Sequence, residues 1–157
     1  MELNHIDENG QAKMVNVGNK PISRRKAVAA GKIVMSPDTV NAIKDGKIIK
    51  GNVLNTAVVA GIAAGKKTSE LIPMCHNIVL DSLDVDITLG IDCVTVTATA
   101  LAESKTGVEM EALTAAGVSL LTIYDMVKAI DKYMEIDKIR LIYKEGGKSG
   151  IFRREYE

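Results

Sequence analysis

The sequence has no tryptophan, one phenylalanine and four tyrosines in 157 residues. With so few rings, the core has to be assembled from valine, isoleucine, leucine, alanine and methionine. Little is left for stacking nucleic-acid bases. An excess of charge of either sign is missing too: twenty lysines and arginines balance twenty aspartates and glutamates. That argues against a broad basic surface, so no nucleic-acid partner is expected. Cysteine is scarce, at two residues without framework spacing, unlike a secreted fold stapled by disulfides. The longest uncharged run with a membrane-like character, residues 51–65, falls short of the roughly 18 residues a spanning helix needs. The opening MELNHIDENG is polar and acidic, unlike a signal peptide. These absences describe a soluble, cytoplasmic chain with no membrane partner. Its length suits one domain, 1–157, with a core that needs no staples.

What is present falls into alternating segments. Residues 1–21 read as a loop or irregular edge, and 25–36 as a strand. Ser36 before Pro37 is an N-cap with proline in the first turn, opening a short helix to about Asp45. Residues 51–73 are rich in small apolar residues nearly all round, which reads as a buried helix that Pro73 stops. LDSLDVDITL and DCVTVTATAL then alternate around a GID turn, as a β-hairpin does. A long helix follows over about 107–131, and IDKIRLIYKE makes the last strand before the tail GGKSG. The order strand, helices, two strands, helix, strand is that of an α+β, ferredoxin-like β-α-β-β-α-β sandwich. It carries one extra helix, and its antiparallel sheet is covered by helices. Such a fold names no activity by itself.

One cysteine and one of the two histidines stand side by side, Cys75 and His76, in LIPMCHNIVL. A metal needs three or four converging ligands, and no second such pair exists. Neighbours on an extended segment face apart, which also works against a Cys–His nucleophilic pair. One working side chain remains, His76, suited to proton transfer near neutrality, while Cys75 packs. The competing reading is a half-buried histidine at a helix–strand corner.

The long helix carries the other candidates. Thr106 and Glu109 have capping-box spacing, and Glu111 suits the positive first turn. Between Glu111 and Asp125 no residue is charged, so the helix should be largely buried. Asp125 and Lys128, three apart on one face, end that run. Burying such a pair is costly unless it is put to use, and desolvation together with proximity would tune its pKa values. An exposed salt bridge is the plainer explanation. Glu111 and Asp125 are fourteen residues apart, about 21 Å on a straight helix. Within one subunit a substrate reaches both only if it is very long or the start of the segment is not helical; a pocket shared by two subunits is the simpler resolution.

Lysines frame the rest, with Lys50 before Gly51, SRRK at 23–26, and Lys148 in GGKSG. The tail lacks the first glycine of a phosphate-binding P-loop, because Ile142 stands in its place.

The motifs KGNV, LIPMCH, GVEMEALTA, LTIYDM with Lys128, and GGKSG, in this order, resemble the cyclic pyranopterin monophosphate synthase family of molybdenum-cofactor biosynthesis. The resemblance implies a lyase acting on a GTP-derived cyclic nucleotide triphosphate, 3′,8-cyclo-7,8-dihydro-GTP, and releasing diphosphate. It implies a homohexamer, a trimer of dimers, with active sites at the dimer interface. By motif, Asp125, Lys128 and Lys50 would be catalytic. Met74, Cys75, His76, Glu109, Met110 and Glu111 would contact substrate, with Arg25 and Lys148 on its phosphates. No cofactor is called for, and magnesium would come only with the substrate phosphates. Two positions depart from the family pattern: Asn16 replaces the usual aspartate and Asn77 the usual proline. Neither falls in the acid–lysine set, so little effect is expected.

Apart from that resemblance, a non-catalytic ferredoxin-like binding module accounts for the fold but not for Asp125, Lys128, His76 and Lys50 together. An RNA-recognition domain shares the strand order, yet the hairpin strands offer no aromatic to stack on.

Overall fold

A computed structural model describes residues 9–155; the other histidine of the sequence, His5, lies outside them. The elements are β1 (Ser23–Val34), α1 (Pro37–Lys44), α2 (Val53–Gly65), α3 (Thr68–Leu71), β2 (Ser82–Leu89), β3 (Cys93–Ser104), α4 (Glu109–Val127), β4 (Glu135–Glu145) and β5 (Phe152–Arg153). The strands form one antiparallel sheet in the order β2-β3-β1-β4-β5. This is the ferredoxin-like arrangement with a two-residue strand added at one edge.

Alternation builds the sheet. Along β1 the residues Arg25, Ala27, Ala29, Gly31 and Ile33 are buried, and Lys26, Val28, Ala30 and Lys32 between them are half-buried; β3 alternates likewise. The buried side faces α4, whose core residues Ala112, Ala116, Leu120 and Ile123 are fully enclosed. The alanine-rich strands let that helix sit close. Helix α2 then packs on α4 through glycine. A Cβ on Gly61 would strike the Ser119 hydroxyl and stand 2.9 Å from the Ala115 carbonyl. The Ser119 Oγ donates to the Ala57 carbonyl at 2.9 Å across the same contact.

The local signals at α1 hold: Ser36 caps it, accepting from the Thr39 amide, and Pro37 sits in its first turn. Asp131 fastens that cap to the end of α4, accepting from the Ser36 amide at 2.9 Å and the Thr39 hydroxyl at 3.1 Å.

Four expectations need correction. The apolar segment 51–73 is two helices, with α2 ending at Gly65 where close contact with Leu83 and α4 requires glycine. It is buried on one side only, and Val59 is exposed on the other. The capping box also fails. Helix α4 starts two residues later than a Thr106 cap requires, with Val108 at the N-cap and no side-chain cap. Finally, α4 is the most membrane-like stretch, 19 residues with mean hydropathy 1.3, but half of that window is buried inside the fold. It passes a length and composition test because it is the core helix.

Candidate functional site

Two adjoining cavities open at the N-terminal end of α4. The first, about 620 Å³, is lined by Lys20, Arg25, Lys105, Lys144 and Lys148 against only two carboxylates, Glu109 and Glu145. The second, about 450 Å³, is lined by Met74, Cys75, His76, Met110 and Glu111, among others. Lys20, Thr106, Gly107 and Glu109 border both, so the two are halves of one cleft.

Local geometry explains how the residues arrive there. Arg25 is buried on β1, its Nε donating to the Ser104 carbonyl at 3.2 Å and Nη2 to that of Lys105 at 3.3 Å. The tail turn lies over it. Gly146 and Gly147 have φ of 101° and 75°, and a Cβ on Gly147 would fall on the guanidinium. Glycine is required there on both counts, and the turn delivers Lys148 to the rim. Glu109 pairs with Lys144 at 2.9 Å instead of capping its helix.

Cys75 and His76 do not face apart as expected, since both line the second cavity. The segment is a turn at this point, not a strand: the Cys75 amide donates to the Ile72 carbonyl at 3.0 Å, around Pro73. The His76 Nε2 lies 2.8 Å from the Val15 carbonyl. A carbonyl only accepts, so Nε2 carries the proton and Nδ1 is the basic nitrogen of the neutral ring. Burial pushes the Cys75 thiol up, with the nearby Glu111 adding to it, so the thiol stays protonated and poorly nucleophilic. Glu111 is 4% exposed. Burial raises its pKa, against the opposing bond from its own amide, and Glu109 raises it further. The positive end of α4 favours the anion, but desolvation wins.

The other end of α4 is different. Asp125 lies between two lysines, 2.7 Å from Lys128 and 2.9 Å from Lys50. Lys50 also donates to the Asp125 carbonyl at 2.9 Å. Contrary to the expectation of burial, all three side chains are about half exposed in the single chain. Proximity rather than desolvation sets their titration. Bonds from Lys128 and then Lys50 pull Asp125 down to about 2, and Asp125 in turn raises Lys128. The negative end of a helix disfavours a carboxylate, and the lysines offset this. None of the three lines the cleft. The fold thus gathers the eight expected substrate-contacting residues at one end of α4 and the three expected catalytic residues at the other.

Lys20, Lys105 and Lys144 escaped the sequence reading. Each sits in an unremarkable loop or strand end, and only the meeting of β1, β3, β4 and α4 makes them neighbours. The departure at Asn16 has a local account: its Oδ1 accepts from the Gly18 amide at 2.8 Å, a turn an aspartate makes equally well.

Among the described residues no group of three or more histidines, cysteines or acids converges. The class is a ferredoxin-like α+β chain with a cation-lined, acid-bearing cleft on its core helix. The chain belongs to the MoaC family, whose pattern it matches over residues 14–147. It is 50% identical over 156 residues to the cyclic pyranopterin monophosphate synthase of Thermomicrobium roseum, covering 98% of this chain and 94% of that one. It is 53% identical over 152 residues to that of Novosphingobium aromaticivorans, covering 97% of each, and 52% identical over 155 residues to that of Chloroflexus aurantiacus, covering 98% and 95%.

Proposed function

We propose that the chain is a cyclic pyranopterin monophosphate synthase of molybdenum-cofactor biosynthesis. It converts a GTP-derived cyclic nucleotide triphosphate, 3′,8-cyclo-7,8-dihydro-GTP, to cyclic pyranopterin monophosphate and diphosphate. The observation that carries this reading is the cleft's pairing of a cation-rich half with an acid-bearing half. Arg25, Lys148, Lys144, Lys105 and Lys20 neutralise the phosphates. That matters most when ring closure forms a bond from a sugar hydroxyl to the first phosphorus and expels diphosphate. Glu109 and Glu111 accept from the N–H groups of the guanine-derived edge. Met74, Cys75 and Met110 wall the ring, and His76 moves protons through Nδ1. Asp125, Lys128 and Lys50 act as the acid/base set for the ring rearrangement. The reading calls on no redox cofactor, and magnesium would enter with the phosphates.

The two ends of α4 then have to serve one substrate from two subunits. Support comes from the helix itself. Its outward side carries Met110, Thr114, Gly117, Val118 and Leu121, spaced as on a coiled-coil seam, and Leu121 is 59% exposed. If a two-fold axis sets α4 antiparallel to its copy, Glu111 meets the other chain's Asp125 when the axis passes at Val118, midway between them. Gly117, beside that point, lets the backbones approach. Such dimers, assembled as a trimer in the cytoplasm, make the homohexamer that the family resemblance implies.

Incubation with the cyclic nucleotide tests the reaction: diphosphate and the cyclic monophosphate product should appear together. Their absence under all phosphate and magnesium conditions overturns it in favour of a binding module. Sharing is tested by refolding Glu111→Ala and Asp125→Asn chains together. Activity returns in the mixture, and each variant refolded alone stays inactive. Mixed oligomers without activity overturn the shared cleft.

A further inference from the structure

Residues 14–20 form an irregular strap along one wall of the cleft, which Val15, Val17 and Lys20 line. Met14, Asn16, Gly18 and Asn19 are exposed, and Val15 and Val17 are half-buried, so burial gives the strap little hold. Space adjoins it on a second side as well: Val17, His76 and Thr106 also line a further cavity of about 280 Å³. Its position has to come from hydrogen bonds. The Val15 carbonyl accepts from His76 Nε2 at 2.8 Å, and the Gly18 carbonyl accepts from Lys105 Nζ at 2.6 Å. Between these anchors the strap is stiffened by its own bonds. The Gly18 amide donates to Asn16 Oδ1 at 2.8 Å and the Lys20 amide to the Val17 carbonyl at 3.0 Å. Lys105 is itself held, since it directly follows β3 and the buried Arg25 donates to its carbonyl at 3.3 Å. A line of contacts thus runs from Arg25 in the sheet, through Lys105 and the strap, to the ring of His76.

The far end of that line decides which ring nitrogen is bare. A neutral imidazole has one donor and one acceptor nitrogen, and which one is protonated is set by the hydrogen bond the other group makes. A carbonyl held against Nε2 leaves the basic lone pair on Nδ1. A bond from an ammonium is about twice as strong as one between neutral groups, which makes Lys105 the firmer of the two anchors. We propose that Lys105 is a positioning residue for His76. By holding Gly18 it keeps the Val15 carbonyl against Nε2, and so keeps Nδ1 free as the base. This part is separate from the charge Lys105 offers to the phosphates. It deepens the reaction proposed above, and its effect on turnover rests on that reading.

The ring itself gives the test. The chain has two histidines, so His5→Gln leaves His76 as the single isotope-labelled ring. Nitrogen NMR of the neutral ring in this parent should show one protonated nitrogen, Nε2, and one bare nitrogen, the signature of a fixed tautomer. Lys105→Met and Lys105→Ala remove the ammonium. In either variant, with circular dichroism unchanged, the two signals should move towards each other as the tautomers exchange. Lys105→Arg keeps a charged donor and should keep the parent's spectrum. None of this needs turnover, so a failure of the assigned reaction is seen separately, as no diphosphate from the parent. Kinetics read the same link through a double-mutant cycle. Lys105→Met should lower kcat by roughly tenfold more in the parent than in His76→Ala. What Lys105 does for the phosphates is common to both backgrounds and cancels. Parental ring signals in both neutral variants, or equal losses of kcat with and without His76, overturn the proposal and leave Lys105 a phosphate-binding cation alone.

Discussion

The two ends of α4 hold carboxylates under opposite control. At the N-terminal end Glu111 is buried, and desolvation raises its pKa although the helix terminus favours the anion. At the C-terminal end Asp125 is exposed, and two lysines lower its pKa to about 2 although the helix terminus disfavours it. The contrast shows that the helix dipole decides neither charge. Burial and direct ion pairing are stronger, and they act in opposite directions. Environments that push paired titratable groups apart are what divided acid and base roles require.

The sharpest way to break this comparison is at the lysine cluster. Asp125→Asn and Lys128→Ala should each lower turnover by roughly 100-fold or more. The double variant should be little worse than either, because groups acting as a unit are non-additive. Additive losses in kcat/KM would reduce the cluster to an ordinary salt bridge.

Glu111→Gln should also abolish most diphosphate release, but with an opposite signature in stability. A carboxyl whose folded pKa is raised contributes stability that is present below its unfolded value, near 4.5. That stability is lost as pH rises through the folded value. In chains whose α4 seam is broken by Leu121→Glu, thermal melts across that window should show this fall, and Glu111→Gln should flatten it. A steeper fall in the glutamine variant would mean that Glu111 is not under desolvation control.

Within the cleft, His76→Ala should lose most activity while Cys75→Ser keeps most of it. Both residues line the cavity, but the burial-raised thiol has no nucleophilic part to play. Equal losses from the two changes would contradict that division.

The smallest effect on activity belongs to a third acid near the same helix. Asp131 is buried, and its bonds from Ser36, Tyr133 and Thr39 lower its pKa. Its contribution is therefore present above pH about 3.8 and lost as pH falls through the folded value. Asp131→Ala should cost about 1–3 kcal/mol in denaturant melts, the cost of stranding its donors, with kcat retained below the melting range. A large loss of kcat in folded protein would move Asp131 into the chemistry.

The sequence by itself determined what neighbours along the chain can encode. Alternation set the hairpin β2–β3, and an apolar run marked β1. Ser36 and Pro37 set the start of α1, and the uncharged run from Glu111 to Asp125 marked the core helix. The ferredoxin-like order followed from these, and the GVEMEALTA and LTIYDM motifs carried the family. Only the tertiary structure decided which distant residues meet. Lys50 reaches Asp125 across 75 positions and Lys144 reaches Glu109 across 35. Cys75 and His76 share a cavity because a proline turn replaces the expected strand. Tertiary packing also set the protonation controls, enclosing Glu111 near the start of α4 while leaving Asp125 open to water at its end. The physical reason is range. Hydrogen-bond periodicity and capping act within a few residues, whereas burial and ion pairing depend on which surfaces the sheet and helices bring together.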